Sequence, residues 1–127
     1  MAKFTWEHIH LRSPDPEATA AWYQDKLGAE VVRTKQADGS ARIDLNLAGQ
    51  KVFLAQAAEG KAAPAPQSPY MGLDHFGLTV PDLDAAVAEL KAKGVTFTME
   101  PTTARPGVRI AFLTAPQNVT IELIQRG

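Results

Sequence analysis

Four side chains of this 127-residue chain have the type and setting to do chemistry: His8, His10, His75 and Glu122. A neutral imidazole is both a metal ligand and a proton carrier near neutral pH. Glu122 stands inside the apolar run Val119-Thr-Ile-Glu-Leu-Ile124, where an ionised carboxylate is costly to bury without a partner. A metal ion or a cationic group would offset that cost. The chain has no cysteine, which excludes a disulfide framework, a thiolate zinc site and a cysteine nucleophile. Thirteen Lys and Arg against fourteen Asp and Glu leave a net charge of −1 with no basic run, which argues against a protein that tracks nucleic-acid phosphates. The expected setting is a cytoplasmic, single-domain protein, with no apolar leader and no apolar stretch of about 18 residues that would span a membrane.

An internal repeat organises the elements that must position these residues. His8-Ile-His-Leu-Arg-Ser-Pro14-Asp15 aligns with His75-Phe-Gly-Leu-Thr-Val-Pro81-Asp82 at an offset of 67, and Arg42-Ile43 aligns with Arg109-Ile110 at the same offset. Each copy closes on a run ending in glutamine, Val52-Phe-Leu-Ala-Gln56 and Ile121-Glu-Leu-Ile-Gln125, at an offset of 69. The single domain 1–127 therefore divides into module one, about 1–56, an Ala/Pro linker, 57–72, and module two, 73–127.

Each block is followed by a helical pattern. Asp15 and Asp82 suit N-caps, Pro16 a first helical position, and Gly28 and Gly94 the position after the last turn. Ala18, Ala21, Trp22 and Leu27 form the expected apolar stripe of the first helix; Leu83, Ala86, Val87 and Leu90 form that of the second. Strands are expected at Phe4–Leu11, Arg42–Leu47, Lys51–Ala55, Leu73–Val80, Val95–Met99, Val108–Leu113 and Val119–Ile124, with turns at Asp38-Gly39 and Pro106-Gly107. Each half then reads as βαβββ in an α+β fold: two modules forming a curved mixed sheet, with helices on the outer face.

Alternation along a strand sorts residues by face. Ile9 and Leu11 oppose His8 and His10; Phe76, Leu78 and Val80 oppose His75; Ile121 and Leu123 oppose Glu122. The apolar sets belong under the helices, so His8, His75 and Glu122 fall on the uncovered face. In one continuous curved sheet that face is concave and lines a pocket. Trp6 shares the His8 face, and Asp44 and Asn46 share a polar face that can meet substrate. Arg109 stands near the Pro106-Gly107 turn, within reach of a substrate carboxylate, although solvated surface charge is the commoner role.

The doubled βαβββ pattern, the two His-x5-Pro-Asp blocks and the closing Ile-Glu-Leu-Ile-Gln resemble the vicinal oxygen chelate superfamily of glyoxalases, bleomycin-resistance proteins and extradiol dioxygenases. The appearance is closest to the glyoxalase and methylmalonyl-CoA epimerase group. The resemblance implies metal-ligand slots on the first and last strand of each half, here His8, His75 and Glu122. The fourth slot holds Phe53, which cannot ligate and is either packed core or the apolar wall of the pocket. His10 lies on the face of His8, so either could be the first ligand; the repeat favours His8 and leaves His10 as an acid/base group, a support or a structural residue. Two imidazoles and one carboxylate suit Fe, Ni, Zn, Mn or Co.

The leading expectation is a glyoxalase-like metalloenzyme. A small substrate with adjacent oxygens would chelate the ion and be isomerised or cleaved through a metal-stabilised enolate, with Glu122 or His10 as base. The alternatives are an Fe(II) extradiol-type dioxygenase with the same ligand set, and a metal-free small-molecule binding protein of the bleomycin-resistance kind. Residues 99–111 contain no histidine, which weakens ring cleavage. The partners expected are a small-molecule substrate and a second copy in a homodimer, with no nucleic acid and no membrane.

Overall fold

The computed structural model describes residues 1–57 and 60–127. Ala58 and Glu59, inside the expected linker, lie outside the described residues. The chain divides into two compact units, Met1–Ala63 and Pro64–Gly127. The first contains β1 (His8–Ser13), α1 (Pro16–Leu27), β2 (Glu30–Lys35), β3 (Ala41–Leu47) and β4 (Gln50–Gln56). The second contains β5 (His75–Thr79), α2 (Leu83–Ala92), β6 (Thr96–Arg105), β7 (Val108–Ala115) and β8 (Val119–Arg126). Both are βαβββ, so the fold class is α+β. The strands form two four-stranded mixed sheets, ordered β1-β4-β3-β2 and β5-β8-β7-β6. No helix among the described residues is long and apolar enough to cross a membrane.

The helices start and stop where their caps dictate. Asp15 Oδ1 accepts from the Ala18 N–H, and Asp82 Oδ1 from the Ala85 N–H, each at 3.1 Å. Each caps one of the orphan donors of a first turn. Gly28 closes α1 at φ +69°, a left-handed conformation that a side chain resists. The two closing glutamines also reach the helix starts. Gln125 Oε1 accepts from the Leu83 N–H at 2.7 Å. The equivalent first position of α1 is Pro16, which has no N–H, and Gln56 instead donates to the Pro14 carbonyl at 3.4 Å.

Each sheet packs one face on its helix. In the first unit Ala20 and Tyr23 of α1 are buried, as are Ile43, Leu45, Leu47, Val52 and Leu54 of the sheet. In the second, Leu83, Val87 and Leu90 of α2 are buried, together with Ala111, Leu113, Ile121 and Leu123. The α2 stripe is the expected one. That of α1 is rotated: Thr19, Ala20 and Tyr23 are buried while Ala18 and Ala21 are exposed. Thr19 is accommodated because its hydroxyl donates to Ser13 Oγ at 2.7 Å.

Three further expectations are corrected. β1 starts at His8 and β5 at His75, leaving Phe4, Trp6 and Leu73 outside the strands and 91%, 81% and 76% exposed. β2 was not foreseen, because nearly all its residues are exposed and it carries no period-two apolar signal. The third correction concerns register. Asp44 is paired with Phe53 on β4, and Phe112 with Glu122 on β8. Asp44 therefore corresponds to Phe112, one residue off the Arg42/Arg109 alignment. A one-residue slip moves a side chain to the other face. Arg42 accordingly lies on the face of Asp44, while Arg109 alternates in step with buried Ala111 and Leu113, on the face that packs against α2.

Candidate functional site

In the second unit Glu122 is carried by β8 between Ile121 and Leu123, which are buried, so alternation turns its carboxylate to the face without the helix. β5 runs parallel to β8 with Gly77 opposite Glu122, and His75 lies two residues before Gly77 on the same face. His75 Nε2 stands 3.1 Å from Glu122 Oε1, and its Nδ1 lies 2.8 Å from Asp74 Oδ2. Phe112, paired with Glu122 across β7, holds its ring 5.1 Å from the imidazole. Asp74 is itself held: Ser68 Oγ donates to its carboxylate at 2.8 and 2.9 Å, and the Tyr70 N–H donates to Oδ1 at 2.9 Å.

The hydrogen bond to Asp74 raises the His75 pKa above its ordinary value, Glu122 adds to the rise, and partial desolvation opposes it. The same bond to His75, with those from Tyr70 and Ser68, holds the Asp74 carboxyl below the usual carboxylate range.

The first unit carries the same framework with different side chains. His10 is opposite Phe53 across the parallel β1·β4 pair, as Gly77 is opposite Glu122. Register thus makes His8 the counterpart of His75, and Phe53 that of Glu122. His8 stacks on Phe53 at 4.0 Å between centroids, and the Arg42 guanidinium carbon lies 4.4 Å from the same centroid. The two reach the ring from the strands on either side of β4, His8 from β1 and Arg42 from β3. Arg42 Nε also donates to Asp44 Oδ2 at 2.8 Å, while Asp44 Oδ1 is buried with no partner among the described residues.

A cavity of about 860 Å³ opens beside this stack, lined by His10, Arg42, Asp44, Phe53, Gln56 and Glu17 among others. Of the residues expected to meet substrate, Phe53, Asp44 and His10 line it. Trp6 is exposed ahead of β1. Asn46 is engaged in the β3–β4 turn, accepting from the Gly49 N–H at 2.8 Å. Arg109 is held by a bidentate pair with Asp84 of α2 at 2.9 and 3.2 Å.

Sequence reasoning missed Asp74 and Arg42. Asp74 lies just outside a strand, so alternation does not assign its direction; its one signal was adjacency to His75. Arg42 was legible as the repeat partner of Arg109 and as a residue two positions from Asp44, and neither signal placed it on Phe53.

Whether the second unit suits a metal can be judged from its donors. Among the described residues no group of three or more His, Asp or Glu is arranged to hold an ion. The His75 and Glu122 donor atoms are nonetheless 3.1 Å apart. Two ligands at about 2.1 Å from one ion and at right angles to each other stand about 3.0 Å apart. With Nδ1 donating to Asp74, Nε2 carries either a proton or a lone pair, and a lone pair facing a carboxylate calls for a cation. The pair therefore fits two adjacent positions of a divalent ion.

A model of the Glyoxalase/Bleomycin resistance protein/Dioxygenase superfamily matches residues 5–123. The chain is 31% identical to the protein YwkD of Bacillus subtilis over 121 residues, 94% of each chain. Over 57 residues it is 40% identical to lactoylglutathione lyase GLX1 of Arabidopsis thaliana, a match covering 44% of this chain and 20% of that one. Among solved structures, the fosfomycin resistance protein FosX from Listeria monocytogenes superposes with a TM-score of 0.75 over 99% of this chain and 96% of that one, at 18% identity, a likeness of fold. The chain belongs to the Glyoxalase/Bleomycin resistance protein/Dioxygenase superfamily.

Proposed function

We propose that the protein is a glyoxalase-like enzyme acting on a small substrate with adjacent oxygens. His75 and Glu122 supply two ligands of a divalent ion, Fe, Ni, Zn, Mn or Co, and His8 is the third ligand expected from the repeat. The observation that carries this reading is the 3.1 Å separation of His75 Nε2 and Glu122 Oε1. A bound ion would supply Lewis-acid stabilisation of negative charge on a substrate oxygen. The chain's own groups then do the rest. Glu122 or His10 moves the proton, and Phe53, with Arg42 and Asp44 beside it, offers an apolar wall with a polar edge. The protein would work in the cytoplasm as a homodimer.

The test is elemental mass spectrometry on protein purified without a nickel column, with His8→Ala, His75→Ala, Glu122→Ala and His10→Ala variants. About one ion per chain, lost in the first three variants and kept in the fourth, is the expected result. Iron in that site would favour an Fe(II) dioxygenase; nickel, zinc, cobalt or manganese would favour the lyase or isomerase. Protein that neither retains nor takes up any of these ions would overturn both. The binding-protein reading, which the first-unit cavity supports, would then remain.

A further inference from the structure

We propose that Asp74 is a positioning residue: by accepting the Nδ1 proton of His75 it sets the ring and leaves Nε2 as the atom that binds the ion beside Glu122. This rests on the metal-site reading above. An imidazole ligates through one nitrogen only while the other keeps its proton, so whatever holds that proton selects the ligating atom. Asp74 meets the geometric need at 2.8 Å, against 3.1 Å on the Glu122 side.

It is also preorganised. Both its oxygens are approached by the Ser68 hydroxyl, and Oδ1 accepts the Tyr70 N–H, so the carboxylate is oriented by the segment that precedes β5 and does not depend on His75 for its direction. Among the described residues the first unit has no equivalent: the residue before His8 is Glu7, whose Oε1 is 3.9 Å from His8 Nδ1 and 3.4 Å from Lys51 Nζ. That wider, shared contact leaves the His8 ring set by its stack on Phe53.

Two measurements on the whole chain decide the matter, neither needing a substrate. The first is Zn²⁺ affinity by competition with a chromophoric chelator. The second is the NMR signal of the hydrogen-bonded Nδ1 proton of His75 in the metal-free protein, assigned by its loss in His75→Ala. Asp74→Ala should weaken Zn²⁺ binding by about 10–100-fold and abolish the Nδ1 signal. Ser68→Ala, which loosens the segment but keeps the acceptor, should hold affinity within about threefold and retain the signal, since only a neutral tie is lost.

Unchanged affinity and an unchanged signal in Asp74→Ala would overturn the proposal. So would equal weakening in Ser68→Ala, which would assign Asp74 a role in holding the segment alone. If wild-type protein binds no divalent ion, the metal reading falls. The Nδ1 signal in wild type and Asp74→Ala then still decides whether Asp74 orients His75.

Discussion

The two units carry one strand framework and opposite chemistry at its centre. In the second, a carboxylate on β8 faces an imidazole on β5 at 3.1 Å, with an aromatic ring on the neighbouring β7. In the first, the aromatic ring has moved to β4 and the carboxylate to β3: Phe53 takes the register place of Glu122, and Asp44 that of Phe112. The imidazole persists in both, but His8 meets a ring face and His75 meets oxygen. A duplicated module has thus kept its pairing while exchanging an acid and an aromatic across one pair of strands. The second unit pairs a carboxylate with an imidazole; the first holds a ring, a guanidinium and a cavity. Register is set by backbone pairing and the buried face, which leaves the residues on the other face free to diverge.

The comparison is broken most directly by making the second unit resemble the first. Glu122→Phe should reduce divalent-ion affinity by roughly 100-fold or more, because the proposed metal site loses a ligand outright. Calorimetric titration of the variant, with circular dichroism to verify folding, checks this, and retained affinity would show that the β8 position is not the distinguishing one. The next effect tests the shared framework. Ile121 and Val52 occupy equivalent buried positions at 0% and 1% exposure. Ile121→Ala should lower unfolding free energy by about 2–5 kcal/mol, and Val52→Ala by about 2 kcal/mol because less volume is lost. Urea denaturation measures both, and a reversed order would mean that the cores differ more than the pairing implies.

Phe53→Leu keeps an apolar side chain but removes the ring between His8 and Arg42. A loss of about 1 kcal/mol is expected from the stack and the cation–π contact. A loss the same as that of Phe112→Leu would erase the contrast between a ring that bears a cation and one that only borders an imidazole.

The smallest effect is a pH dependence in metal-free protein. The folded His75 pKa lies above its unfolded value of about 6.5. Its contribution to stability is therefore complete below about pH 6.5 and is lost as pH rises through the folded pKa. Urea midpoints measured across that window should fall with rising pH in wild type. The fall should be shallower in Asp74→Ala, because Asp74 is the largest cause of the raised pKa.

Much of the frame was legible because it rests on local physics. Asp15 and Asp82 cap their helices, Gly28 ends one, and the alternation of Ile121, Glu122 and Leu123 turns a carboxylate away from the core without reference to any distant residue. The paired His8 and His75 blocks were readable for the same reason. What failed to read lacked a local signal. Exposed β2 has no apolar period, the α1 face is shared with a polar Thr19 that Ser13 satisfies, and Phe4 and Trp6 are apolar yet lie outside any strand.

By itself, then, the sequence determined the repeat, the caps, the strand periodicities and, within each unit, which strand face carries His8 and which carries His75 and Glu122. Only the tertiary structure decided how strands register against one another. That put Arg42 on Phe53, sent the similarly placed Arg109 to Asp84 on the opposite face, and brought the loop residue Asp74 onto His75. The physical reason is that periodicity is a property of one segment. Register, and the direction of a side chain just outside a strand, are properties of two segments in contact.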